Sequence, residues 1–156
     1  MTENPALAGR FAGREHHFPV HIYFEDTDFS GLVYHANYLR YMERARSDML
    51  ACAGIDQRGA FEDGEGVYAV SELSIKYRRP ARFDDQLNVV STVEQLGGAT
   101  VHIHQRVMLG DEILTNARVV AAFLSREGRP KRQPKAWIAA FETLLQAAVG
   151  SAEMPL

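Results

Sequence analysis

Two carboxylates, a glycine and a histidine stand close together in Asp26-Thr27-Asp28-Phe29-Ser30-Gly31-Leu32-Val33-Tyr34-His35-Ala36-Asn37-Tyr38. A carboxylate can take a proton from water or attack a carbonyl carbon directly, and a nearby histidine can position or assist that step. The residues before the stretch read as a strand and those after it as a helix, so a turn carries the polar groups between them. A helix start offers free backbone N–H groups and a partial positive charge, which can hold a developing oxyanion. Carboxylate and helix start together suit attack on an activated carbonyl.

The flanking elements must hold that turn in place. Phe18–Phe24 is rich in β-branched and aromatic residues and predicts a first strand. From Ala36 to Ala53 the apolar residues Tyr38, Tyr41, Met42, Ala45, Met49 and Cys52 fall on one face of a helix, and Gly54 stops it. At a rise of ~1.5 Å per residue such a helix is roughly 27 Å long. Four more strands are expected at Gly66–Tyr77, Gln86–Gln95, Thr100–Leu109 and Glu112–Ser125, with hairpin turns at Gly97-Gly98 and Gly110-Asp111. After Pro130 and Pro134, the residues Trp137, Ile138, Phe141, Leu144, Leu145 and Ala148 outline a terminal amphipathic helix over residues 135–149. Strand, long helix, then a run of antiparallel strands is an α+β pattern. An antiparallel sheet of about five strands curled around one central helix would hide the helix's apolar face.

Composition narrows the function. The 156 residues predict a single domain with a real core, and 46% hydrophobic with 24% charged residues is ordinary for a globular protein. A formal net charge of −3 argues against a nucleic-acid partner. Cys52 is the single cysteine, which excludes a disulfide framework and fits a cytoplasmic location. Residues 1–17 read as a flexible leader, neither signal peptide nor transmembrane segment.

The segments His21-Ile22-Tyr23-Phe24-Glu25-Asp26-Thr27-Asp28, Gly31-Leu32-Val33-Tyr34-His35-Ala36-Asn37-Tyr38 and Met42-Glu43-Arg44-Ala45-Arg46 together resemble the hot-dog-fold acyl-CoA thioesterases of the 4-hydroxybenzoyl-CoA thioesterase type. Within that group the chain is most similar to the Tol–Pal-associated acyl-CoA thioesterase branch, and Tyr77-Arg78-Arg79-Pro80-Ala81-Arg82-Phe83-Asp84-Asp85 resembles the family's strand-end segment. The spacing D-T-D-x-x-G-x-V-Y-H-x-x-Y is far more specific than a short glycine motif. The resemblance implies a hot-dog fold, a homodimer or homotetramer, and hydrolysis of acyl-CoA without cofactor or metal. It puts the catalytic carboxylate at Asp28 and the branch's histidine at His35, with the backbone N–H groups around His35 polarising the thioester carbonyl. Phe29-Ser30 is bulkier than the small pair of the family pattern, and the terminal helix has no counterpart in it.

Each residue also has a plainer reading. Aspartates often hydrogen-bond their own loop, and Asp26 is read that way. His35 need only assist, because a thiol with a pKa of about 8.5 leaves as thiolate without a strong acid. Gly31 reads as a backbone requirement or a close substrate approach, and Tyr34, Asn37 and Tyr38 as walls of an acyl pocket or as core. Glu43, Arg44 and Arg46 read as helix-surface pairs, Cys52 as inert packing, and His102 and His104 as an ordinary strand face. Arg78, Arg79 and Arg82 are candidates for the phosphates of coenzyme A, with Arg78 and Arg79 on opposite faces if their strand continues that far. The second basic cluster, Arg126, Arg129, Lys131, Arg132 and Lys135, could meet an acyl carrier protein or an anionic lipid. Two rivals stand beside the thioesterase. Hot-dog dehydratases carry a His-x-x-Pro-Gly type signature, whereas His35 is followed by Ala-Asn-Tyr. The other rival is a non-catalytic acyl-carrier-binding or membrane-edge scaffold.

Overall fold

A computed structural model describes residues 8–147. Six strands form one antiparallel sheet: β1 (Arg10–Ala12), β2 (Glu15–His21), β3 (Val67–Tyr77), β4 (Gln86–Leu96), β5 (Thr100–Leu109) and β6 (Glu112–Leu124), in the spatial order β1-β2-β4-β5-β6-β3. Helices α1 (Asn37–Cys52) and α2 (Gln57–Glu62) lie between β2 and β3, and α3 (Lys135–Gln146) follows β6. Both glycine hairpins are present, between β4 and β5 and between β5 and β6. Residues 148 and 149 of the expected terminal helix lie outside the described residues.

Alternation builds the sheet and the helical stripe covers it. On β5, Val101, Ile103, Gln105 and Val107 are buried while His102, His104 and Arg106 point the other way. On α1, Tyr38, Tyr41, Met42, Ala45 and Met49 are buried as the stripe requires, packing with Val20, Leu87, Val89 and Val107 in one half of the core and with Ile103 and Phe123 in the other. A fully buried large apolar side chain contributes roughly 1.5–3 kcal/mol. Met42, Met49, Leu87 and Leu114, all nearly sealed from solvent, therefore outweigh any intrinsic preference of the helix.

Two polar clusters tie α1 down. Gln105 lies on the buried face of β5; its Nε2 donates to Met42 O (3.0 Å) and Ser91 Oγ (2.9 Å), and its Oε1 accepts from Arg46 Nη1 (2.8 Å). Arg46 does pair with Glu43 (2.6 Å), but with 12% exposure it is not the surface residue its spacing suggested. Folding its guanidinium onto Gln105 satisfies a buried amide whose oxygen has no other donor among the described residues. The second cluster is Asp48, 8% exposed, whose Oδ2 lies 2.8 Å from His16 Nε2, accepts from Gly9 N–H (3.1 Å) and sits 3.5 Å from Cys52 Sγ. Burial outweighs the attraction of Asp48 and holds the His16 imidazole below its ordinary pKa. Cys52 is only half-buried, and burial together with the Asp48 charge pushes its thiol up to about 11, so it is unreactive for an electrostatic reason as well as a packing one.

This second cluster overturns the expectation of a flexible leader through residue 17. β1 pairs with β2 through Arg10↔His17, Phe11↔His16 and Ala12↔Glu15, and Asp48 anchors the hairpin from across the helix. The same pairing starts the first long strand at Glu15, before Phe18, and makes the sheet six-stranded where about five strands were expected. That strand also ends early. Asp26 Oδ2 accepts from Tyr23 N–H (2.7 Å), and Phe24–Asp26 forms a short 3-10 helix, which takes Phe24 out of the expected strand. Helix α2 was not foreseen; Asp56 caps it by accepting from Gly59 N–H (3.0 Å).

Candidate active site

The turn before α1 is set by its own backbone. Asp28 N–H donates to Leu32 O (2.9 Å), Gly31 N–H donates to Asp28 O (2.9 Å), and Gly31 adopts φ +83°, a left-handed conformation natural to glycine. Ser30 then holds the carboxylate: Asp28 Oδ1 accepts from Ser30 N–H (2.8 Å) and from Ser30 Oγ–H (2.5 Å). No donor to Oδ2 is found among the described residues. One oxygen is pinned and the other faces solvent.

The Ser30 hydroxyl, then the Ser30 N–H, then the charge of His35 hold the Asp28 carboxyl below the usual 3.8. It is therefore an anion at neutral pH, as a base or nucleophile must be. The base form is lost only as pH falls through this depressed value. Removing the hydroxyl raises it, so Ser30→Ala should move the acidic limb of kcat/KM to higher pH. Superimposable pH profiles of the two proteins would show that Ser30 does not set this ionisation.

His35 is exposed beside the carboxylate. Its ring lies 4.7 Å from that of Tyr34 and 6.1 Å, edge-on, from that of Tyr77, and its carbonyl accepts from Tyr77 OH (3.0 Å). No side chain caps α1 at Ala36. Asn37 N–H donates to Tyr34 O and Leu39 N–H to Ala36 O, but no acceptor for His35 N–H or Ala36 N–H is found among the described residues. Those two groups are the candidate oxyanion donors.

Asp28, Ser30, His35 and Tyr38 line an open hollow of ≈ 380 Å³, closed on its other side by Tyr77, Arg78, Arg79 and Pro80 from the end of β3. Five of the sequence-predicted residues thus converge: Asp28, His35, Tyr38, Arg78 and Arg79. Tyr38 is also a brace, since its buried hydroxyl accepts from Ala81 N–H (2.9 Å) and fixes the wall opposite the turn. Arg78 and Arg79 are not on opposite faces of a strand. β3 stops at Tyr77, both of their N–H groups donate to Leu114 O (2.8 and 3.1 Å), and both residues line the hollow. Arg79 is held by Glu112 (2.8 Å).

Four predicted residues do not line the hollow. Gly31 shapes the turn, and Tyr34 is half exposed against His35. Asn37 is a tie, its Nδ2 donating to Asp26 O (2.9 Å). Arg82 bridges Leu32 through backbone pairing and donates its N–H to Asp85 Oδ2 (2.8 Å). The lining residues missed are Ser30, Leu32, Val33, Tyr77 and Pro80, of which two carry polar groups. Ser30 had a readable signal, a hydroxyl two residues after an aspartate in a turn. Tyr77 had none, because a tyrosine ending a strand is common.

A family model described as the thioesterase superfamily matches residues 30–116. The acyl-CoA thioesterase YbgC of Haemophilus influenzae is 38% identical over 128 residues, covering 81% of this chain and 94% of that protein. The acyl-CoA thioester hydrolase YbgC of Escherichia coli is 32% identical over 127 residues, covering 80% and 94%. A probable thioesterase from Bartonella henselae is 35% identical, and its crystal structure aligns with a TM-score of 0.73 over 77% of this chain and 99% of that one. An antiparallel six-stranded sheet bearing helices, a turn carboxylate facing an uncapped helix start, and relatives matched over nearly their whole length agree: the chain belongs to the hot-dog thioesterase superfamily, among the YbgC-like acyl-CoA thioesterases.

Proposed function

We propose that this acyl-CoA thioesterase works through Asp28. One observation carries the assignment: an ionised carboxylate with a free oxygen and an uncapped helix start open onto the same hollow. Water attacks the thioester carbonyl while Asp28 takes its proton; alternatively Asp28 itself attacks, and water opens the resulting anhydride. In either route the C–S bond breaks and coenzyme A leaves as thiolate. His35 N–H and Ala36 N–H stabilise the oxyanion, and the His35 side chain positions the thioester. α1 is then the central helix around which the sheet curls. The motif spacing supports the Tol–Pal-associated branch, and the single free thiol supports a cytoplasmic location. Among the described residues, no helix is long and apolar enough to cross a membrane. Free-thiol release from a panel of acyl-CoAs tests the activity; turnover of none would leave the scaffold reading, with an acyl carrier protein as its partner.

Coenzyme A enters over Arg78. Arg79 is already engaged by Glu112 and Arg82 lies off the hollow, so Arg78 is the guanidinium best placed for a phosphate. Phosphate contacts persist equally in ground and transition states. Arg78→Ala should therefore raise KM several-fold with kcat nearly constant, Arg79→Ala should do less, and Arg82→Ala almost nothing. The effect should shrink with added salt and vanish for an acyl-pantetheine lacking the nucleotide. An unchanged KM for Arg78→Ala would move coenzyme A elsewhere.

The active form is a homodimer or a homotetramer. Among the described residues β3 is an 11-residue edge strand paired only with β6, and its Val67, Val70, Leu73 and Tyr77 side chains are 40–47% exposed. A long apolar edge is left open to aggregation unless a second copy continues the sheet.

A further inference from the structure

One peptide unit links the two walls of the hollow. Its N–H belongs to Ala36, a candidate oxyanion donor without an acceptor among the described residues; its carbonyl belongs to His35 and accepts from Tyr77 OH (3.0 Å). In a trans peptide the N–H and C=O point in opposite directions, so an oxyanion and the tyrosine hydroxyl address the same unit from opposite sides. The helix leaves that carbonyl to the tyrosine. In a regular α-helix His35 O would accept from Leu39 N–H, four residues on. Here Leu39 N–H donates to Ala36 O (3.2 Å), and Tyr77 OH takes the place of the helical donor. Neither end of the His35–Ala36 peptide has a helical bond to fix its tilt, so the tilt rests on Tyr77.

Tyr77 is itself held. It closes β3 opposite Thr115 of β6, and its ring meets those of Tyr38 (5.6 Å) and His35 (6.1 Å) edge-on. Tyr38 is buried and tied to Ala81 N–H, which fixes the ring that braces Tyr77. A carbonyl oxygen can only accept, so the one O–H of the phenol is engaged by His35 and is not free for a substrate. Partial burial raises the phenol above its ordinary pKa and keeps it protonated at neutral pH. A hydrogen bond received by a carbonyl draws electron density from the amide nitrogen and strengthens what the N–H donates, by roughly 10–30% per bond. That gain is largest against the full charge of a tetrahedral oxyanion and small against a neutral thioester.

Resting on the thioesterase reading above, we infer that Tyr77 is a positioning residue of the oxyanion site: through His35 O it aims the His35–Ala36 peptide and polarises it, making Ala36 N–H a stronger donor to the oxyanion. Tyr77 acts on the reaction without touching the reacting atoms, and its contribution appears in the transition state.

The test follows the acyl-CoA that the wild-type protein turns over fastest and reads kcat and KM separately. Tyr77→Phe keeps the ring and its contacts with His35 and Tyr38 but loses the hydroxyl. It should lower kcat about tenfold, less than the ~10²–10³-fold that removing an oxyanion donor itself costs, with KM within about twofold of wild type. Replacing Tyr77 by 3-fluorotyrosine or 3,5-difluorotyrosine, at this position alone, keeps the hydroxyl and makes it a stronger donor. At a pH below the ionisation of all these phenols, kcat should rise from Tyr77→Phe through wild type to the monofluorinated and then the difluorinated protein. A hydroxyl that merely braces the fold would give the last three the same kcat. In a D28N chain, which should hold its substrate uncleaved, the infrared stretch of a carbon-13-labelled thioester carbonyl should move to higher frequency when Tyr77→Phe is added. Equal kcat across the three hydroxyl-bearing proteins, a raised KM at unchanged kcat, or an unmoved carbonyl stretch overturns the inference while leaving the thioesterase assignment intact. If Tyr77→Phe fails to fold, the fluorinated pair decides alone. If the wild-type protein releases thiol from no acyl-CoA, the thioesterase reading falls first.

Discussion

Asp28→Asn should abolish nearly all thioester hydrolysis while leaving the fold in place. The carboxylate is exposed and its contacts are confined to Ser30, two residues away, so an isosteric amide perturbs nothing beyond the turn. Losing a positioned base typically costs about 10²–10⁴-fold in rate. Asparagine accepts the same Ser30 N–H bond through its amide oxygen, so the loss reports on chemistry and not on turn geometry. His35→Ala should cost less, because the thiolate leaves unaided and the oxyanion donors are backbone groups that the substitution retains. Steady-state kinetics on purified variants decide the matter. Near-full turnover by Asp28→Asn would remove Asp28 from the mechanism, and a larger loss at His35 than at Asp28 would exchange their roles.

The largest loss of stability is expected from Asp48→Ala, far from the candidate active site. One buried carboxylate oxygen serves Gly9 N–H, His16 Nε2 and the Cys52 thiol. Truncation leaves the buried His16 ring and the half-buried Gly9 N–H without this acceptor and opens a void between α1 and the β1–β2 hairpin. Unpaired buried donors cost 1–3 kcal/mol apiece before relaxation, so a total on the order of 3 kcal/mol follows. For a chain of this length that lowers Tm by about 6–12 °C. Asp48→Asn keeps one acceptor and should recover part of the loss. Hydrogen exchange should show the damage concentrated in residues 9–21. A Tm within 2 °C of wild type, or protection lost evenly across the sheet, would mean that Asp48 does not anchor the hairpin.

The candidate catalytic turn was legible because its chemistry is local. Asp28, Gly31 and His35 lie within eight residues, and the bonds that aim the carboxylate come from Ser30, overlooked though only two residues along the chain. Helix α1 and strands β3 to β6 were legible for a similar reason: their burial repeats with the period of their own backbone, which any one segment displays. The rest was decided by residues far apart. Tyr77 supports His35 across 42 positions, Asp48 captures His16 across 32, and Arg46 reaches Gln105 across 59. Such pairs leave no periodic trace, because neither partner's neighbours need to be special. The placement of Arg78 and Arg79 was equally hidden, since where β3 lets go of β6 is set by the carbonyl of Leu114 and not by the arginines themselves. Local hydrogen bonding and alternation therefore wrote the turn and its carboxylate into the sequence, while the wall opposite them exists only once the sheet has closed against α1.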